Sequence, residues 1–189
     1  MSSDPNEEIQ KLLDNPDCSV DDVVDSLYFM QALQQEYKPL LEFLSRDESI
    51  LNMAKWIFTQ TAMGDPRFIK MSSTVLKVFT SSIPQVFLVY MESEAFANAC
   101  HSFLGSNDSA NPKLCGFLYS ILSQQIRWGN PKFFKIYNDI GTLLFARMSN
   151  LAIQELIVLV ATRQNIKIYN DSQLILYLST IATCKDSEK

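Results

Sequence analysis

Histidine is almost missing: the 189-residue chain contains one, His101. A zinc site draws on four Cys or His ligands, commonly in close pairs. The four cysteines, Cys18, Cys100, Cys115 and Cys184, are dispersed and form no CxxC pair, so no metal site is expected. Glycine is scarce, with five residues, which argues against a glycine-rich phosphate loop and a turn-dense β-sandwich. None of GxxxxGK[ST], GxGxxG or HExxH occurs, and no cofactor is expected. Long apolar runs are also absent. The greasiest stretch, Leu151 to Ala161, is too short to span a bilayer and carries Gln154 and Glu155. The N-terminal residues are polar and acidic, without the basic and apolar regions of a signal peptide. The chain is therefore expected in the cytoplasm, with access to the nucleus, off the membrane and with reduced thiols.

What is present is a globular composition, 47% hydrophobic and 20% charged. The net charge of −5 is uneven: residues 1–50 carry 12 acidic and 3 basic side chains, and the remainder 9 acidic and 13 basic. An acidic head on a mildly basic body lacks the strongly basic face of a nucleic-acid binder. The asymmetry reads as a solvated surface, or as two ends that meet differently charged partners.

Apolar side chains recur at steps of three and four. Ile50, Met53, Ala54, Ile57 and Phe58 mark a helix over 47–60, and Phe68, Val75, Leu76 and Phe79 one over 66–82. Leu114 through Trp128 mark one over 112–128, and Leu174, Tyr177, Leu178 and Ile181 one over 172–184. Leu151 to Ala161 is apolar nearly all round, which predicts a helix covered on several sides. Asp65-Pro66, Asn111-Pro112 and Asn130-Pro131 each pair a capping side chain with a proline suited to the first helical position. Ser19 and Asp22 form a capping-box-like start. Pro39 divides the stretch 20–44 into two helices, and 163–170 is read as a loop. About ten short helices result, in one domain over 1–189 with flexible ends at 1–10 and 185–189. Short antiparallel helices in series point to an armadillo- or HEAT-like α-solenoid, although no strict sequence repeat is visible.

Candidate chemistry is thin. Cys100 and His101 are adjacent, yet neighbours in a helix point about 100° apart, and Cys100 continues the apolar pattern of Phe96 and Phe103. It reads as a core thiol beside a surface histidine. Asp21, Asp22 and Asp25 read as an acidic first helical turn. The most suggestive feature is the basic and aromatic run from Arg127 and Trp128 through Lys132, Phe133 and Phe134 to Lys135. Trp and Arg are favoured at interface hot spots. The plainer reading is a helix–helix turn with inward aromatics and solvated lysines.

Several ordered segments resemble the SAPS family, regulatory subunits that associate with phosphatase-6-type serine/threonine phosphatases. They are Leu12-Leu13, Ser19 to Leu27, Leu40-Leu41-Glu42-Phe43-Leu44, Val75-Leu76 with Ser82-Ile83-Pro84-Gln85-Val86, Phe103-Leu104 with Asn111 to Phe117, and Ala152-Ile153-Gln154-Glu155-Leu156-Ile157. Arg147-Met148-Ser149 departs from the family's His-Ile-Gly, and the opening is polar where family members are aromatic. The resemblance implies a helical-repeat scaffold without catalysis that binds a phosphatase-6-type catalytic subunit. A generic adaptor with another protein partner is the alternative. Arg127, Trp128, Lys132, Lys135 and Arg147 are the candidate partner-binding residues. As a core thiol, Cys100 is expected to react with a thiol reagent only on unfolding; rapid labelling of the native chain would instead mark a reactive site.

Overall fold

Helix starts in this chain are set by side chains that satisfy the unpaired amides of the first turn. The computed structural model describes residues 4–129 and 131–163, with 166, 168, 175 and 179 as single positions beyond them. Among the described residues there are twelve α-helices, against about ten expected, two 3-10 turns at Thr61–Gly64 and Asn107–Ala110, and no strand. The helices are α1 (Pro5–Leu13), α2 (Val20–Asp25), α3 (Phe29–Gln34), α4 (Lys38–Leu44), α5 (Asp47–Phe58) and α6 (Phe68–Phe79). They continue with α7 (Pro84–Glu92), α8 (Glu94–Gly105), α9 (Pro112–Trp128), α10 (Lys132–Ile136), α11 (Ile140–Ala146) and α12 (Leu151–Ala161).

The Ser19 hydroxyl accepts the Asp22 amide at 3.2 Å while the Asp22 carboxylate accepts the Ser19 amide at 3.0 Å, a complete capping box. Asn111 accepts the Lys113 amide at 3.0 Å, with Pro112 in the first helical position. The other two cap–proline pairs act differently. Asp65 accepts the Arg67 amide at 2.7 Å in a turn of its own, and α6 starts only at Phe68. Pro131 is itself the cap of α10, with extended ψ of 146°, so the helix opens at Lys132; Asn130 lies outside the described residues.

The stretch 20–44 holds three helices rather than two. Ser26 takes an extended ψ of 140° and ends α2. A Schellman turn ends α3: the Tyr37 amide donates to Ala32 O and the Glu36 amide to Leu33 O, both at 3.0 Å, with Glu36 at φ 53°. Pro39 then falls in the first turn of α4, where it displaces no helical hydrogen bond. At the N-terminus, the residues read as a flexible end include the start of α1, capped by Asp4 and anchored by fully buried Ile9. The helix expected over 172–184, most of the loop at 163–170 and the tail 185–189 lie outside the described residues.

Although the sequence shows no strict repeat, the backbone does. Helices α5, α8 and α11 begin at 47, 94 and 140, a spacing of 46–47 residues typical of armadillo and HEAT units. Helices α2, α5, α8 and α11 stack as one layer and α6, α9 and α12 as a second, while short α7 packs on α6 and α10. The architecture is an all-α solenoid. Its layers meet over an aromatic cluster: Phe58 stacks on Phe103 at 5.0 Å, and Phe79 lies 4.8 Å from Phe96 and 4.7 Å from Tyr90, centroid to centroid. Helix α12, expected to be covered on several sides, buries Ile153, Leu156, Ile157 and Val160 and leaves Leu151 and Val158 exposed. In a two-layer stack only one face of an outer helix has a neighbour.

A left-handed backbone costs an L-residue about 1–2 kcal/mol, and glycine there forfeits about 0.5–1 kcal/mol through its freer unfolded chain. Glu36→Gly is therefore expected to stabilise the protein modestly, by up to about 1 kcal/mol in urea unfolding. Destabilisation would show that the glutamate side chain supports the turn.

Candidate functional site

The run Arg127 to Lys135 spans the end of α9 and all but the last residue of α10. Phe133 and Phe134 are buried, their rings 5.0 Å apart, so these aromatics belong to the core. Trp128 is different: it is 70% exposed at the last position of α9, its ring centroid 5.8 Å from that of Phe87 on α7. Pro84, Phe87, Leu88, Met91 and Trp128 enclose a cleft of about 160 Å³. Leu88 is 52% exposed beside it. An indole left this open, against further apolar side chains, forms an apolar patch of the kind proteins use for contact. Arg127 is exposed next to it and has no partner among the described residues.

The lysines are already engaged. Lys132 Nζ lies 3.4 Å from Glu94 Oε2, and Lys135 Nζ 3.0 Å from Glu92 Oε1. These bridges tie α10 to α7 and α8 and neutralise charge that the sequence alone displays as a basic cluster. Arg147 stands apart from the cleft. Its guanidinium donates to the Ser109 hydroxyl and, at 3.0 Å, to Ser106 O, so it fastens the 3-10 turn at Asn107–Ala110 to the end of α11. The structure thus groups Trp128 with Phe87, Leu88 and Met91, leaves Arg127 exposed outside the cleft's lining, and ties Lys132, Lys135 and Arg147 to neighbouring elements. The α7 partners were missed in the sequence. The signal was there: Val86 to Met91 is an unbroken run of apolar side chains, more than one buried helix face can cover.

The remaining chemistry is quiet. Cys100 is fully buried, and burial pushes its thiol well above the ordinary range. Cys115 is pushed up to about 11 by burial, against a smaller opposing effect of Arg147. His101 is half-buried, stacked on Tyr137 with centroids 3.9 Å apart, and its Nε2 lies 2.9 Å from Asp139 Oδ1. Cys100 does not join this pair; it lies in the core on the other side of the helix face. Among the described residues no group of three or more His, Cys, Asp or Glu side chains could hold a metal ion. No single helix among them is long and apolar enough to cross a membrane; α6 and α7 reach that composition only as a pair bent by 94°.

Against curated proteins, the chain is 26% identical over 159 residues to serine/threonine-protein phosphatase 6 regulatory subunit 1 of Mus musculus. It is 24% identical over 159 residues to the Homo sapiens protein of the same name. Each match covers 82% of this chain but only 19% and 18% of the relative, so the chain spans less than a fifth of their length. This chain is related to the SAPS-type phosphatase 6 regulatory subunits. No protein-family model and no solved structure matches it. The SAPS-type relationship agrees with the ordered segments read in the sequence.

Arg147 and Trp128 should separate by stability. Arg147→Ala removes a charged donor from the Ser106–Ser109 turn and is expected to cost about 1–3 kcal/mol in urea unfolding. Trp128→Ala, at an exposed site, is expected to cost under about 1 kcal/mol. The reverse order would move Arg147 to the surface chemistry and Trp128 to the core.

Proposed function

We propose that the chain is a non-catalytic, helical-repeat scaffold that binds a phosphatase-6-type serine/threonine phosphatase catalytic subunit. The observation that carries this reading is the similarity, over 82% of the chain, to proteins named as regulatory subunits of phosphatase 6. The solenoid supports it, because stacked helices present long, rigid contact surfaces without needing a catalytic pocket. The cleft around Trp128 is the face we assign to the phosphatase: an exposed indole in an apolar setting has the make-up of an interface anchor. Lys132 and Lys135 contribute less, since each would have to leave a carboxylate to reach a partner, and exposed ion pairs contribute about 0–1 kcal/mol. The cytoplasm, with nuclear access, is the proposed location.

Purified chain and purified phosphatase-6-type catalytic subunit should co-elute on gel filtration. Trp128→Ala should weaken the complex at least about tenfold, near 1.4 kcal/mol, without changing the melting point of the free chain. Lys132→Glu and Lys135→Glu should each weaken it less. Failure of the wild-type chain to co-elute would refute the phosphatase partner and favour an adaptor for another protein. Co-elution unaffected by Trp128→Ala would keep the partner and remove the cleft.

A further inference from the structure

Among the described residues, no helix packs over the outer face of the layer formed by α2, α5 and α8. Two concavities lie on it, of about 590 Å³ between α2 and α5 and about 690 Å³ between α5 and α8. Both are lined by Asn52, Lys55 and Thr59, the outward ridge of α5, so they are two halves of one face with that ridge between them, and the half between α5 and α8 is the groove. Helices α5 and α8 are each twelve residues long, so at about 1.5 Å per residue the groove between them runs about 18 Å. That accommodates about six residues of extended chain at about 3.3 Å each.

Its charge is one-sided. Asp21 and Asp65 line one half, Glu48 and Asp108 the other, and Lys55 is the one cation among the described lining residues. Two of the carboxylates are engaged within the fold: Asp65 by Arg67 at 3.2 Å, and Asp21 by the Trp56 indole N–H at 2.7 Å. The carboxylates of Glu48 and Asp108 have no partner among the described residues. Lys55 is turned to Asn52, donating to its Oδ1 at 2.7 Å. The groove therefore offers two carboxylates without a partner among the described residues, beside an apolar strip that includes half-exposed Leu51 and partly buried Ala99.

The amides add a second preference. Asn52 uses its carboxamide oxygen on Lys55, and Asn98 uses its own on the Tyr137 hydroxyl. Each keeps an NH₂ group with no acceptor among the described residues, and such a group donates to carbonyl oxygens. A helix satisfies its own carbonyls; an extended chain does not. Donors for backbone carbonyls, carboxylates for cationic side chains and a length of several residues select the same kind of ligand. We propose that this groove holds an extended, basic segment of a partner polypeptide, its lysine or arginine side chains on Glu48 and Asp108 and its backbone carbonyls on Asn52 and Asn98. None of these residues lines the Trp128 cleft, so a scaffold of this kind holds two polypeptides at once.

The test uses the purified full chain and fluorescein-labelled eight-residue peptides that alternate arginine or glutamate with alanine, followed by anisotropy. The arginine peptide should bind and the glutamate peptide should not. Glu48→Lys with Asp108→Lys should weaken binding at least tenfold. The shape-preserving pair Glu48→Gln with Asp108→Asn should lose less, in the same direction, and covers the case in which the lysine pair fails to fold. Asn52→Ala with Asn98→Ala should weaken binding several-fold while leaving its salt dependence unchanged, because no charge is altered. Glu7→Lys with Glu155→Lys, on α1 and α12, changes net charge as much as the lysine pair and should leave affinity unchanged. Equal loss in that control would reduce the effect to bulk charge and overturn the groove. Unchanged affinity in the folded Gln/Asn pair, or binding of the glutamate peptide, would overturn it as well.

Discussion

The packing of α5 against its neighbours underlies everything else in this chain. One helix of three turns buries Ile50, Met53, Ala54, Trp56, Ile57 and Phe58 and touches α2, α4, α6, α8 and α9. Phe58 reaches across to Phe96 and Phe103 of α8, and Phe96 in turn meets Phe79 of α6. Large rings dominate core energetics because each buries about 150–250 Å². With those contacts made, the successive units are held in one stack, and the spacing of 46–47 residues between α5, α8 and α11 follows as a geometric result.

Stacking decides the surfaces by elimination. Once the rings of Phe58 and Phe103 have stacked between α5 and α8, Glu48, Leu51 and Lys55 of α5 line the open groove above them. Helix α7, sandwiched between α6 and α10, buries Val86, Phe87 and Tyr90 and has no neighbour for Leu88. Trp128 comes to rest beside it because α9 ends there, at Gly129. The two candidate contact regions therefore lie on different sets of helices and differ in character, one apolar and the other acidic with amide donors. The thiols of Cys100 and Cys115 line neither region; both are buried and held above their ordinary range, while His101 pairs with Asp139.

The long helices were legible because periodicity and caps act over a few residues. Helices α9 and α12 fall on the expected spans, and Ser19–Asp22 and Asn111–Pro112 cap as their side chains suggest. The misreadings share a cause. Asp65-Pro66 and Asn130-Pro131 have the same local chemistry as Asn111-Pro112, yet the entry angle of the following helix is fixed by what that helix packs on, and it delays α6 and α10. The break after Ser26 and the left-handed Glu36 carry no glycine or proline to announce them. Of the candidate partner residues, Trp128 and Arg127 stand exposed as the sequence suggested. Lys132, Lys135 and Arg147 were legible as cations but not as cations with partners, since Glu94, Glu92 and Ser106 come from helices and turns 38 to 43 residues away or lie on the facing element.

By itself the sequence determined an all-α chain of short capped helices, its core face, the place of Cys100 in that core and its kinship with phosphatase regulatory subunits, because each rests on local periodicity or on ordered identity along the chain. Only the tertiary structure decided which charges remain free, which apolar side chains stay outside and where a groove opens between α5 and α8. Those properties depend on pairs of residues brought together across helix layers, and no local pattern encodes whether a lysine will meet a glutamate or solvent.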